Sequence, residues 1–268
     1  MIGFAPVNDT RLYYEVAGRG SPVVLIHGFG IDARMWDAQF PVVAERHRVI
    51  RYDLRGFGRS ALPTGNEFRH ADDLRALLDY LETPAAHVVG LSMGGTVALH
   101  HTLLFPDATA SLVLVDSSLD RFDWSEEWDA SFDAIAERAQ QLDAAAGNTM
   151  WLEHELFAPA RERAECRVQL ERIVRESSGW HWLNDSRARG IVPPGATRLN
   201  EIRVPTLVIV GERDLPDFQR IADILAGGIG GARKVVMQGV GHMSNMENSG
   251  EFNAVVEAFF TETEMETA

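Results

Sequence analysis

The feature that most restricts what this chain can fold into is a series of short β-branched, mainly apolar runs that show no regular polar–apolar alternation. They are Pro22 to Ile26, Arg48 to Tyr52, Ala86 to Leu91, Ala110 to Val115, Thr206 to Val210 and Lys234 to Met237. A strand with one wet face alternates polar and apolar residues, and a strand buried on both faces does not. Runs of this kind, separated by helical patterns, predict an α/β fold: a mainly parallel central sheet flanked by helices. The helices expected between them are Ala71 to Leu81, Gly94 to Phe105 ahead of Pro106, Asp217 to Ala226 and Glu251 to Phe260. One further run, Arg11 to Val16, adds a strand at the N-terminal side.

The alternation fails in one stretch. From Leu119 to Ala196 the strand signal disappears and charged helical text replaces it, over Trp124 to Gln141, Met150 to Phe157 and Ala160 to Arg175. The expected organisation is therefore a core of residues 1–118 and 197–268 with a helical cap, residues 119–196, inserted between two sheet strands. Five of the six tryptophans lie in the cap, at Trp124, Trp128, Trp151, Trp180 and Trp182. Each can pack the cap onto the sheet, and as a group they can wall an apolar pocket.

Composition removes several classes of function. A formal net charge of −14 opposes binding to nucleic acid or an anionic membrane, both of which need clustered positive charge. No segment approaches the ~20 apolar residues of a membrane span, and the N-terminus lacks a basic start followed by an apolar run. A cytoplasmic protein, monomeric or homodimeric, is the expectation. Cys166 is the only cysteine, so no intrachain disulfide or thiolate metal cluster can form, and it reads as an ordinary thiol. Lys234 is the only lysine, which disfavours Schiff-base and Ser-Lys chemistry.

The chemistry is carried by His87-Val88-Val89-Gly90-Leu91-Ser92-Met93-Gly94-Gly95, where an apolar strand pattern becomes a helical one around a single serine. A serine hydroxyl becomes a useful nucleophile when a sharp strand-to-helix turn exposes it and backbone N–H groups face the oxygen of the carbonyl it attacks. G-x-S-x-G alone is weak, so its partners decide the reading. A base is expected after the last strand, and Gly239-Val240-Gly241-His242-Met243 supplies His242 on a glycine-rich loop. The orienting carboxylate is expected after the preceding strand, where Gly211-Glu212-Arg213-Asp214 supplies Asp214; Asp116, after Leu112 to Val115, competes for the role. The amide of Met93 and that of Phe29, in His27-Gly28-Phe29-Gly30, are the candidate oxyanion donors. His27 reads as a brace for that loop. Phe29, Trp124, Trp128, Trp151 and Met243 are the candidate substrate-contacting side chains.

Together with Asp53-Leu54-Arg55-Gly56-Phe57-Gly58-Arg59-Ser60, these motifs resemble the α/β-hydrolase fold family, and within it the 3-oxoadipate enol-lactonases and small carboxylesterases. The resemblance covers nearly all of the chain outside the cap. It implies a helical cap after the sixth strand, a Ser92, Asp214 and His242 triad, and no cofactor. It further implies hydrolysis of a small-molecule carboxylic ester or lactone through an acyl-enzyme. Haloalkane dehalogenases and epoxide hydrolases of this fold use Asp at the elbow, so Ser92 argues against them. Carbon-carbon bond hydrolases of aromatic catabolism, which often have Asn where this chain has Leu91, are an alternative; a small-ligand receptor on the same scaffold is another. Gly56-Phe57-Gly58-Arg59-Ser60-Ala61 satisfies a dinucleotide-binding pattern, but the loop Leu62 to Asn66 follows it where a helix is needed. No metal motif occurs among the nine histidines, and adjacent His100 and His101 read as packing or surface residues. A lactone with a free carboxylate would need a cation, for which Arg121, Arg175, Arg187 and Arg189 are the cap's candidates.

Overall fold

A computed structural model describes residues 1–267. Its eight strands are β1 (Ile2–Val7), β2 (Thr10–Ala17), β3 (Pro22–Ile26), β4 (Arg48–Tyr52), β5 (Ala86–Leu91), β6 (Thr109–Val115), β7 (Thr206–Gly211) and β8 (Arg233–Met237). They form one sheet in the order β1-β2-β4-β3-β5-β6-β7-β8. β1 and β2 pair antiparallel, β2 pairs antiparallel with β4, and every later pairing is parallel. The expected α/β sheet is present, and the lack of alternation has a simple cause. Val23 and Leu25 enter the apolar cluster on one face of the sheet, while Val24 and Ile26 enter the cluster on the other. Both faces are covered, so both halves of the two-residue period must be apolar.

The sheet's two edges depart from this pattern. β1 gives no sequence signal because only part of it is covered; Pro6 is tolerable at an edge, and the hairpin is set by Asn8 and Asp9 at φ 44° and 57°. β8 reads as fully buried but lies at the opposite edge, where Arg233 and Val236 are exposed.

Helices α1 (Phe40–Val43), α2 (His70–Tyr80), α3 (Met93–Leu104), α9 (Pro216–Gly228), α10 (Ser244–Glu247) and α11 (Ser249–Thr267) belong to the chain on either side of residues 119–196. Within that segment are α4 (Glu126–Gln141), α5 (Ala144–Glu153), α6 (Ala158–Arg161), α7 (Ala164–Glu176) and α8 (Trp180–Leu183). Ser125 Oγ accepts from the Trp128 amide and starts α4; Asp143 Oδ1 accepts from the Ala146 amide and starts α5. The helix expected over Met150 to Phe157 instead begins at Ala144 and stops before His154, whose Nδ1 accepts the Leu156 amide at 3.1 Å. The one expected over Ala160 to Arg175 is broken at Glu162 and Arg163, which bond to Arg213 and to the Gly239 carbonyl. No helix among the described residues is long and apolar enough to cross a membrane.

Candidate active site

β5 ends at Leu91 and α3 starts at Met93, which leaves Ser92 alone in the turn at φ 55° and ψ −120°. A non-glycine residue held there costs about 1–3 kcal/mol, so the surroundings must impose the conformation. They do so by close approach of main chain. A Cβ on Gly90 would lie 2.1 Å from the Gly94 carbonyl oxygen, and a Cβ on Gly94 would lie 2.4 Å from that of Ile26. The Ser92 amide donates to the Val115 carbonyl at 2.9 Å, and the Ser92 carbonyl accepts from the Ser118 amide at 3.1 Å. Ser92 is thus clamped between β3 and the end of β6.

Asp214 follows β7 in a tight turn, and His242 follows β8 on a loop that turns at Gly239, φ 69°. His242 Nδ1 lies 2.9 Å from Asp214 Oδ2, and both side chains are buried. An ionised Asp214 can only accept, so Nδ1 carries the proton and Nε2 is left with its lone pair. Asp214 Oδ1 accepts the Leu215 amide at 2.7 Å, which fixes the carboxylate plane. Burial lowers the imidazole to about 4, against the opposing pull of Asp116 and Glu247. Burial likewise raises the Asp214 carboxyl, against the Leu215 hydrogen bond.

Asp116 makes no hydrogen bond to the imidazole. Its Oδ1 accepts the Gly211 amide at 2.8 Å, and its Oδ2 takes the Ser244 hydroxyl at 2.5 Å, so it ties the ends of β6 and β7 to α10. Glu247 carries no sequence motif that marked it, yet it grips the histidine loop. It accepts the amides of Gly241 at 2.8 Å and Met243 at 3.2 Å, on either side of His242. Its only sequence signal is a carboxylate five residues after His242 on a short helix.

No hydrogen bond joins Ser92 Oγ to His242 in this structure; the two residues line one small cavity of about 10 Å³. Such contacts are often long before substrate binds. The loop of Phe29 lies against the nucleophile, since a Cβ on Gly28 would be 3.3 Å from the Ser92 Cβ. Among the described residues neither the Phe29 nor the Met93 amide has an intramolecular hydrogen-bond acceptor, so both are free to donate. His27 braces the loop from below: its Nε2 accepts the Leu54 amide at 2.9 Å, and its Nδ1 bonds the Gly28 carbonyl at 2.7 Å. Asp53 adds a second brace through the amides of Ala33 and Arg59.

Ser92 opens into a cavity of about 460 Å³ that Phe29, Met93, Trp124, Trp128 and Trp151 help to line. Trp124 and Trp128 stack with centroids 4.8 Å apart. Of the other expected residues, Met243 is wholly buried and lines the small cavity shared by Ser92 and His242 rather than the larger one. Trp182 packs inside, its Nε1 donating to Asn148 Oδ1 at 3.0 Å, and Trp180 lies against His181. Cys166 is buried in the cap and burial pushes its thiol to about 12, which keeps it protonated. Phe132 and Phe218 also wall the cavity and were not expected. Phe132 was legible as the i+4 neighbour of Trp128 on α4; Phe218 was not, because α9 belongs to a distant part of the chain. A larger polar groove of about 680 Å³, around Asn8, Arg69 and Asp79, contains none of Ser92, Asp214 and His242.

Residues 21–249 match the model of a family described as the alpha/beta hydrolase fold. The chain is 27% identical over 254 residues to "3-oxoadipate enol-lactonase 2" of Acinetobacter baylyi, covering 93% of each protein. The crystal structure of a hydrolase from Pseudomonas aeruginosa superposes with a TM-score of 0.83 at 30% identity, over 97% of this chain and 98% of that one. Est816, an N-acyl homoserine lactone degrading enzyme, superposes with a TM-score of 0.77 at 30% identity, over 96% of this chain and 99% of that one.

Proposed function

Since this chain belongs to the α/β-hydrolase fold family, we propose that it is a serine hydrolase that cleaves a carboxylic ester or lactone through an acyl-enzyme on Ser92. The observation that carries this reading is the strained turn that presents Ser92 into the same cavity as a buried His242–Asp214 pair. The lactones named for similar proteins agree with it.

In the acylation step His242 Nε2 takes the Ser92 hydroxyl proton as Oγ bonds to the carbonyl carbon, and the carbonyl π electrons move onto oxygen. The amides of Phe29 and Met93 hold that oxyanion; loss of one such donor typically costs about 3 kcal/mol. Collapse expels the alkoxide, which His242 protonates. Water then repeats the sequence on the acyl-enzyme, releasing the acid and restoring Ser92. Asp214 keeps the proton on Nδ1 throughout and stabilises the imidazolium. Residues 119–196 act in this reading as a lid that shields the acyl-enzyme and shapes the substrate cavity.

The experiment is Ser92→Ala assayed with p-nitrophenyl acetate, with mass spectrometry of the wild-type protein after a fluorophosphonate probe. The expected result is loss of turnover to background and one covalent adduct on Ser92. Substantial turnover by purified Ser92→Ala, or an adduct elsewhere, overturns the assignment.

A further inference from the structure

His242 stands on a loop that two separate parts of the chain hold. From the sheet side, Glu212 accepts the Gly239 amide at 2.8 Å, and the Val240 carbonyl accepts the Arg213 amide at 2.8 Å. Glu247, on α10, accepts the amides of Gly241 and Met243 on either side of the imidazole. From residues 119–196, the break between α6 and α7 reaches the same loop. Arg163 Nη2 donates to the Gly239 carbonyl at 2.7 Å, and Arg163 Nε lies 3.6 Å from Glu247 Oε2. Pro159, on α6, packs so close that a Cβ on Gly241 would lie 2.5 Å from its Cγ.

Buried charge makes Arg163 more than a tether. The Glu247 side chain has no exposed surface, and a buried carboxylate is costly unless it is paired. Both of its oxygens are committed to amide donors, and Arg163 is its one salt-bridge partner among the described residues. Burial raises the Glu247 carboxyl, while the two amides, Arg163 and His242 oppose that rise. The ionised form is the one that grips the loop, because hydrogen bonds to a charged acceptor are roughly twice as strong as neutral ones. Removing Arg163 therefore weakens both contacts that flank His242, along with the direct bond to Gly239.

The imidazole has little room for error. Ser92 and His242 share a small cavity without a hydrogen bond between them, so proton transfer depends on where the histidine loop sets Nε2. A misplacement of about 1 Å caused by a change away from the chemistry can cost on the order of 10²-fold in rate. The segment that contributes Trp124, Trp128 and Trp151 to the cavity at Ser92 is the segment that carries Arg163.

We propose that Arg163 is a positioning residue for His242: by pairing Glu247 and the Gly239 carbonyl, it makes the placement of the base depend on how residues 119–196 are docked. Assembly of the substrate cavity and alignment of the base are then one event. This rests on the serine-hydrolase reading above.

The test uses Arg163→Met, which keeps most of the stem and removes the charge, and Arg163→Lys, which keeps a charge. With p-nitrophenyl acetate, Arg163→Met should lower kcat by about tenfold with KM within about twofold of wild type, and Arg163→Lys should recover most of the loss. A residue that only docks the segment would give the opposite split, a raised KM with kcat unchanged, since that segment walls the substrate cavity; that result overturns the proposal. Added to Glu247→Gln, the Arg163→Met change should lower kcat by less than about threefold more, and losses that multiply in full overturn the route through Glu247. A separate arm needs no turnover: amide hydrogen exchange at Gly241 and Met243, followed by NMR, should quicken at least about tenfold in Arg163→Met and stay near wild type in Arg163→Lys. Faster exchange supports the proposed contact even if Ser92 proves not to be the nucleophile; unchanged protection in Arg163→Met overturns it even if hydrolysis is established.

Discussion

Replacing Asp214 by Asn tests which carboxylate directs His242, and the structure fixes the outcome through one neighbouring amide. Asp214 Oδ1 accepts the Leu215 N–H at 2.7 Å, and Oδ2 faces His242 Nδ1 at 2.9 Å. An Asn at this position keeps its oxygen toward Leu215, because the reverse orientation sets an NH2 donor against a buried N–H donor, costing about 1–3 kcal/mol. Its NH2 group then points at Nδ1 and donates to it. The imidazole proton moves to Nε2, the nitrogen that must accept from Ser92, and the base is lost. Expected is a fall in kcat of ~10⁴, equivalent to about 5 kcal/mol, with little change in melting temperature. Asp116→Asn should behave differently. Its oxygen keeps the Gly211 amide, and its NH2 can donate to the Ser244 hydroxyl oxygen, so kcat should stay within about tenfold of wild type. Steady-state kinetics on p-nitrophenyl acetate, with circular dichroism melts of both variants, decide the matter. A greater loss for Asp116→Asn, or equal losses, would refute the reasoning.

Three further outcomes are expected. Gly94→Ala forces a Cβ to 2.4 Å from the Ile26 carbonyl oxygen, main chain that cannot swing aside, so a cost of about 3 kcal/mol or more should appear as a melt roughly 6–12 °C lower; an unchanged melt would show that the elbow can relax. Acid should destabilise the fold before any carboxylate titrates normally. His27 and His101 are buried and pushed to about 4 and 3, so as pH falls below 6.5 the unfolded chain binds protons that the folded chain refuses; Asp53, pushed up to about 6 by burial, acts in the opposite sense and offsets part of this. Each of the two imidazoles contributes on the order of 3 kcal/mol that is present at pH 7 and lost progressively as pH falls toward its folded value, and a urea midpoint that stays flat from pH 7 to 5 would contradict this. Trp128→Ala removes the ring between Trp124 and Phe132, at 4.8 and 5.9 Å, and should raise KM for aryl esters about tenfold with a smaller change in kcat; an unaltered KM would place the leaving group elsewhere.

Much of the fold was legible because its determinants are local in the chain. The β5 run from Ala86 to Leu91 and the start of α3 within one residue of Gly94 follow from periodicity and from a serine flanked by glycines, all inside ten residues. β1 was missed because an edge strand needs no continuous apolar run, and the break between α6 and α7 because partners outside the cap hold Glu162 and Arg163. The competition between Asp214 and Asp116 could not be settled from spacing, since both follow strands that end beside His242. Loop direction decided it, turning Asp116 onto Gly211 and Ser244.

By itself, then, the sequence determined a parallel sheet covered on both faces and a serine elbow, since each follows from the chemistry of contiguous residues. Only the tertiary structure decided which carboxylate meets His242, that Glu247 holds the histidine loop, and that Arg163 reaches both Glu247 and that loop. Those residues come from separate segments, and their relation is a matter of packed distance and direction, which no local pattern encodes.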